Sequence, residues 1–198
     1  MFIGHFGAGF AGKKFSKAAS LGTYFMAAQW IDLVWPILVL FGIEKVEIDP
    51  GISSVTPINF TYYPFTHSLV GVLVWAILFG TIYYFIKKNY KTSIILGLLV
   101  VSHWFLDLLV HIPDLPIFSG EGLKVGLGLW NSFAATLIVE GLVFAFGLYL
   151  YLKSTKTKNK TGYYSLLGLV IFLVAIYISN LIGPPPESTE AIGIVGNA

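Results

Sequence analysis

Asp32, His103 and Asp107 lie inside stretches of chain apolar enough to cross a membrane, and His5, His67 and Glu140 lie on or within similar stretches. Insertion scales put one Asp at the centre of a membrane helix at a cost of about 2.5 to 3.5 kcal/mol, so such groups persist when paired, metal-bound or lining a polar cavity. His103 and Asp107 are four residues apart, which stacks them on one helix face with both side chains able to approach a single ion. Imidazole and carboxylate without thiolate suit zinc best and admit manganese or iron, whereas magnesium favours more oxygen ligands. For an isolated pair, a His–carboxylate hydrogen bond tying helices together is the stronger reading. Asp32 and His67 shift the balance toward an ion.

The elements that must position these residues are membrane helices. The chain has 198 residues, 56% of them hydrophobic and 11% charged, and a mean hydropathy of +0.80, far from an average soluble domain. Apolar runs long enough to cross roughly 30 Å of hydrocarbon fall near 18–42, 66–86, 92–111, 130–152 and 162–183. The expectation is an all-α, polytopic helical bundle of about five spans. Residues 1–12 are too short to span and precede Lys13, the reverse of a cleavable signal peptide. They read as a half-inserted or interfacial helix whose glycines, Gly4, Gly7, Gly9 and Gly12, permit close packing on the bundle.

The loops alternate in charge. Lys13, Lys14, Lys17, Lys87, Lys88, Lys91, Lys153, Lys156, Lys158 and Lys160 fall on one side, and only Lys45 and Lys124 on the other, with Glu44, Glu47, Asp49, Asp114, Glu121, Glu187 and Glu190. The positive-inside rule makes the lysine-rich side and the N-terminus cytoplasmic and the C-terminal tail external, in an integral cell (plasma or inner) membrane. The lysines then need no nucleic-acid partner. No internal repeat is visible, so residues 1–183 read as one transmembrane domain and 184–198, opening on Pro184 to Pro186, as an outside tail. Absence of cysteine excludes thiolate ligands and disulfides, and absence of arginine removes any bidentate clamp for phosphate.

Counting rises along each helix places Asp32 about 21 Å, His103 about 16 Å and Asp107 about 22 Å from the lysine-rich end, with Glu140 near the midplane and His5 about 12 Å up. His67 and His111 come out near the opposite surface, so a common site needs the second helix to sit low or the cluster to open outward. Glu140 reads either as a protonated acid bonding between helices or as a neighbour of the site. His111 reads as an exposed helix-end residue rather than a ligand, and Pro113 ends its helix. Trp130, Tyr62 and Tyr63 at one edge, and Tyr83, Tyr84, Tyr149, Tyr151, Tyr163 and Tyr164 at the other, look like interfacial aromatic belts.

Gly4-His5, Asp32 with Pro36, Phe65-Thr66-His67-Ser68, and Ser102-His103 with Asp107 follow one another in an order that resembles the YdjM-like family of membrane-bound metal-dependent hydrolases. Two positions depart from that pattern: Trp30 stands where the family has its first acidic residue, and Tyr63-Pro64 replaces its His-Arg. The order Asp, His, His-x-x-x-Asp is also similar to part of the ligand set of zinc-dependent phospholipase C. That likeness implies one metal on Asp32, His67, His103 and Asp107, with Asp107 bridging to a second held partly by His5. A His-x-x-x-Glu for a third site is missing around Glu140.

These readings lead to the expectation of a membrane-embedded hydrolase with one or two divalent ions, most simply zinc, acting on a phosphoester of a membrane lipid or lipid-linked substrate. Metal lowers the pKa of its water toward about 7 and neutralises developing charge without arginine. Asp32 and Asp107 are the candidate catalytic residues, with Asp32 the general base if it is not a ligand. The rival readings are an ion- or proton-coupled transporter, which an odd span count without repeats disfavours, and a structural membrane subunit.

Overall fold

Gln29 breaks what the hydropathy pattern presents as one continuous first span. In the computed structural model, which describes residues 1–118, 120 and 122–195, helices α2 (Leu21–Ala28) and α3 (Trp30–Leu40) meet there at a 53° bend. They follow α1 (Ile3–Phe15). A hairpin of β1 (Lys45–Ile48) and β2 (Ile58–Tyr62) then leads to the single turn α4 (Pro64–His67) and the long helices α5 (Leu69–Lys87) and α6 (Tyr90–Val110). A small ladder of β3 (Leu115–Pro116) and β4 (Lys124–Val125) and a 3-10 turn at Leu129–Asn131 precede α7 (Phe133–Ser154), α8 (Lys160–Ile182) and the short α9 (Thr189–Val195). Glu121 and residues 196–198 of the expected tail lie outside the described residues.

Four helices, α5 to α8, are each long and apolar enough to cross a membrane, and the bent α2–α3 pair is so when taken together, as a broken span or a re-entrant loop. The molecule is thus the expected all-α helical bundle, with four to five candidate spans. Helix starts are written in the sequence: Ser20, Ser68, Asn89, Ser132 and Asn159 each accept a backbone N–H of the turn they open, contacts that each stabilise a helix by about 1 kcal/mol. Lys88, in the left-handed region at φ 51°, ends α5, and Asn89 opens α6 at once. The two helices then run close together, with Gly80 facing the Ser93 carbonyl and Gly97 the Ala76 carbonyl.

Helix α1 is more deeply seated than an interfacial helix. Ile3, Gly4, His5, Gly7, Gly9, Phe10 and Gly12 are all buried, against α7, α2 and α6. A Cβ on Gly7 would come within 2.6 Å of the Val143 carbonyl oxygen, and one on Gly147 would strike the carbonyl of Gly7 itself. Only glycine at these two positions lets α1 and α7 touch backbone to backbone. Phe10, Phe144, Leu173 and Tyr177 fill the space beside that seam.

At the lysine-poor end the hairpins carry an aromatic lid. Phe60 packs 5.3 Å from Trp35, 5.1 Å from Tyr63 and 6.0 Å from Trp130, measured between ring centroids. Tyr63 and Trp130 are buried in this cluster, so of the residues expected to form a belt at that edge only Tyr62 is exposed. At the other end Tyr84, Tyr149, Tyr163 and Tyr164 are exposed, as a belt requires, whereas Tyr83 and Tyr151 pack inward.

Candidate metal centre

Helices α1, α3, α4 and α6 bring all five expected side chains to one point. His103 and Asp107 stand a turn apart on α6, both buried. Asp32 lies in the first turn of α3, just past the break. His67 closes the single turn α4 rather than belonging to the second span, because Ser68 leaves the helix and restarts it as the cap of α5. That interruption puts His67 beside the others although rise-counting places it near the surface.

The distances are those of a ligand shell. Nε2 of His103 is 3.0 Å from Asp107 Oδ2 and 3.3 Å from Asp32 Oδ1; Nε2 of His67 is 3.8 Å and 3.5 Å from the same two oxygens. Four ligands about 2.0 to 2.1 Å from a tetrahedral zinc are separated by about 3.3 Å along each edge. On the far side of Asp107, His5 Nε2 lies 3.1 Å from Oδ1. The same Oδ1 accepts from the Met1 amine at 2.5 Å. Two overlapping groups result, Asp32–His67–His103 and His5–His103–Asp107, each with its ligand atoms within 4.8 Å of one another.

Hydrogen bonds fix which ring nitrogens face the centre. His103 Nδ1 is 2.9 Å from the Ala28 carbonyl, which can only accept, so the imidazole proton sits on Nδ1. Nε2 faces the Asp32 and Asp107 carboxylates, where it can bind an ion through its lone pair or donate to them as part of an imidazolium. Thr66 does the same for His67. Its hydroxyl donates to Glu44 Oε2 at 2.6 Å, so its oxygen accepts from His67 Nδ1 at 2.8 Å, which turns Nε2 toward the centre. Imidazole nitrogens facing carboxylates need a positive charge between them, either a proton or a metal cation. Outward-donating histidines of this kind are the usual orienting arrangement of metal ligands.

No protein-family model, curated protein or solved structure matches the chain. The reading of the centre therefore rests on its own atoms.

Glu44, expected as a loop charge, is fully buried. It accepts from the backbone N–H groups of Phe65 and Thr66 as well as from the Thr66 hydroxyl, fastening α4 and through it His67. Nothing in the sequence marks Glu44 for this role; the Thr66-His67 adjacency is the only visible hint. Glu140 stands outside both groups. Its Oε2 accepts from Phe2 N at 2.9 Å and Gly4 N at 3.5 Å, occupying N–H groups that open the start of α1 and so fixing the turn that carries His5.

His111 corrects the expectation of an exposed helix end. It is buried, with Nδ1 2.9 Å from Asp114 Oδ1 and its ring 4.1 Å from that of Trp130, because the hairpins fold back over the end of α6. It belongs to the lid and to neither candidate ligand group. Burial lowers its imidazole pKa, and burial followed by the Asp114 charge holds the Tyr63 phenol well above its ordinary value. Trp30, where an acid was looked for, points to α5 and packs on Trp75 and Phe79 at 5.9 and 5.2 Å.

Proposed function

We propose that this protein is a membrane-embedded, metal-dependent hydrolase acting on a phosphoester of a lipid or lipid-linked substrate. The observation that carries the reading is the convergence of Asp32 and Asp107 on the Nε2 atoms of His67 and His103, at 3.0 to 3.8 Å, with the Nδ1 side of both rings held away from the centre. The order of these residues, similar to that of the YdjM-like hydrolases, supports it.

One ion fits this arrangement better than two. His103 Nε2 belongs to both groups, and a single nitrogen lone pair serves one ion. The Asp32 side is the more available, since Asp107 Oδ1 on the other side already receives the Met1 amine and lies 3.1 Å from His5 Nε2. A divalent ion held there by His67, His103 and Asp107 would supply Lewis acidity and a more acidic water, and zinc best matches imidazole combined with carboxylate.

The protein's own residues do the rest. Asp107 and His103, buried and held by α1, keep the centre fixed. Asp32 is different: its side chain is 38% exposed, against 2% for Asp107, so with the ion on His67, His103 and Asp107 it stays free to reach substrate and to take the proton of an attacking water. The aromatic lid of Phe60, Tyr63 and Trp130 covers the lysine-poor end, which limits access by bulk water. Reconstituted protein should release phosphate or a phosphorylated headgroup from some member of a lipid panel, and chelator should abolish the release. Metal-loaded protein that hydrolyses none of them but drives solute or proton flux in liposomes would replace this reading with the transporter.

The ten-to-two lysine division supports an orientation with the lysine-rich ends in the cytoplasm of a cell membrane. A single cysteine at Lys158, in a chain otherwise free of cysteine, should then react with an impermeant thiol reagent only after lysis; labelling of intact cells would invert the topology.

A further inference from the structure

The centre has an opening in the wall of the bundle. A cavity of about 250 Å³ lies between α1 and the bent α2–α3 pair, lined by Phe6, Phe25, Met26, Gln29, Asp32 and Leu33. Asp32 is its floor and the one member of the ligand cluster that it exposes. Met26 and Leu33 are 43% and 42% exposed on its rim, inside the stretch that passes as a membrane span only when α2 and α3 are taken together. The opening therefore lies within an apolar stretch of membrane-span composition.

Gln29 is the feature of this cavity that packing leaves unexplained. It sits at the break itself, with φ −99° and ψ 4°, and is 8% exposed, yet its side-chain oxygen has no hydrogen-bond partner among the described residues. Burying an amide oxygen unpaired is unfavourable by about 1 to 3 kcal/mol, so a polar group retained there points to a partner that arrives. One turn of chain separates Gln29 from Asp32, which sets them on the same side of the bent pair.

We propose that the α2–α3 break is a lateral door through which a phosphodiester lipid enters from the bilayer, with Gln29 accepting a hydrogen bond from a hydroxyl of its headgroup. Phe6, Phe25, Met26 and Leu33 hold the first methylenes of the chain while the remainder stays in the membrane. The cavity is too small for a whole lipid and does not need to hold one. This inference rests on the proposed hydrolase reading for its choice of a phosphoester, and it adds the route, the recognition residue and the headgroup chemistry.

The test is photo-crosslinking of the full-length protein in phosphatidylcholine vesicles containing a small fraction of phosphatidylglycerol with a diazirine in the acyl chain near the headgroup. Adducts should concentrate at Phe25, Met26 and Leu33 and be chased by excess unlabelled phosphatidylglycerol. Gln29→Leu should lower them about tenfold, the loss expected of one hydrogen bond to a buried acceptor, and Met26→Trp should block them by filling the door from its exposed rim. Both variants should bind as much metal as the unaltered protein. Adducts spread evenly over α7 and α8, indifferent to both substitutions, would overturn the door whatever the metal content. Concentrated adducts on a protein that binds no metal would leave the door standing and remove the hydrolase.

Discussion

The two sides of the His103 imidazole are built in opposite ways. On one side lie His5, Asp107 and the start of α1, all buried, with the His5 ring stacked 3.7 Å above His103 and Gly7 and Gly147 locking α1 to α7. On the other side lie Asp32 and His67, carried by a helix that has just been broken and by a single turn, with Asp32 partly open to the cavity. The closed side spends its polar groups on one another. Its carboxylates, Asp107 and Glu140, accept from backbone, amine and imidazole, and leave little free to meet a substrate. The open side leaves the Gln29 side-chain oxygen without a partner among the described residues and Asp32 exposed to the cavity. Rigidity and reactivity are thereby separated across one residue, a division that binding sites generally need because a ligand shell must be held while a substrate group must be reached.

The largest expected effect breaks the comparison at its centre. Asp107→Asn should remove the ion and also destabilise the fold by about 3 to 5 kcal/mol, because the Met1 amine loses its buried counter-charge. Asp32→Asn should leave thermal stability close to that of the unaltered protein and retain part of the metal, while lipid hydrolysis is lost. Metal titration and thermal unfolding of the two variants side by side check this, and equal stability losses would erase the distinction between the two sides.

A smaller effect sharpens the comparison. Thr66→Val removes the acceptor that holds the His67 proton on Nδ1 without touching the centre itself. Metal affinity should fall by roughly 10- to 100-fold, the usual consequence of losing a partner behind a ligand, and Thr66→Ser should restore it. An unchanged affinity in the valine variant would mean that His67 is not oriented through Glu44 and Thr66.

How much of this was legible in the sequence depended on whether the signal was local. The His103–Asp107 spacing and the shared depth of Asp32 could be read directly, since one helix turn and a rise of about 1.5 Å per residue fix both. The long helices α5 to α8 were visible as apolar runs, and their Ser and Asn caps emerged only with the structure. His67 was misplaced in depth because the restart at Ser68 is a single-residue event inside an apolar run. The break at Gln29 carries neither glycine nor proline, and the Ala28 carbonyl at its edge is held by His103 from another helix, a contact that no local pattern announces. Glu44 and His111 were taken as surface groups for the same reason: what buries them is the return of the hairpins over the bundle end.

The central claim is that the cluster holds an ion, and the most direct measurement is the metal content of the purified, untagged protein, handled without chelating resin. The account predicts about one zinc-like ion per chain, set by the shared His103 nitrogen. His103→Ala should be nearly empty, and His111→Ala should be as full as the unaltered protein because His111 serves the lid. Folded, unaltered protein that carries no metal and binds none on titration would contradict the account, and the converging histidines and aspartates would then be an ion-pair network between helices.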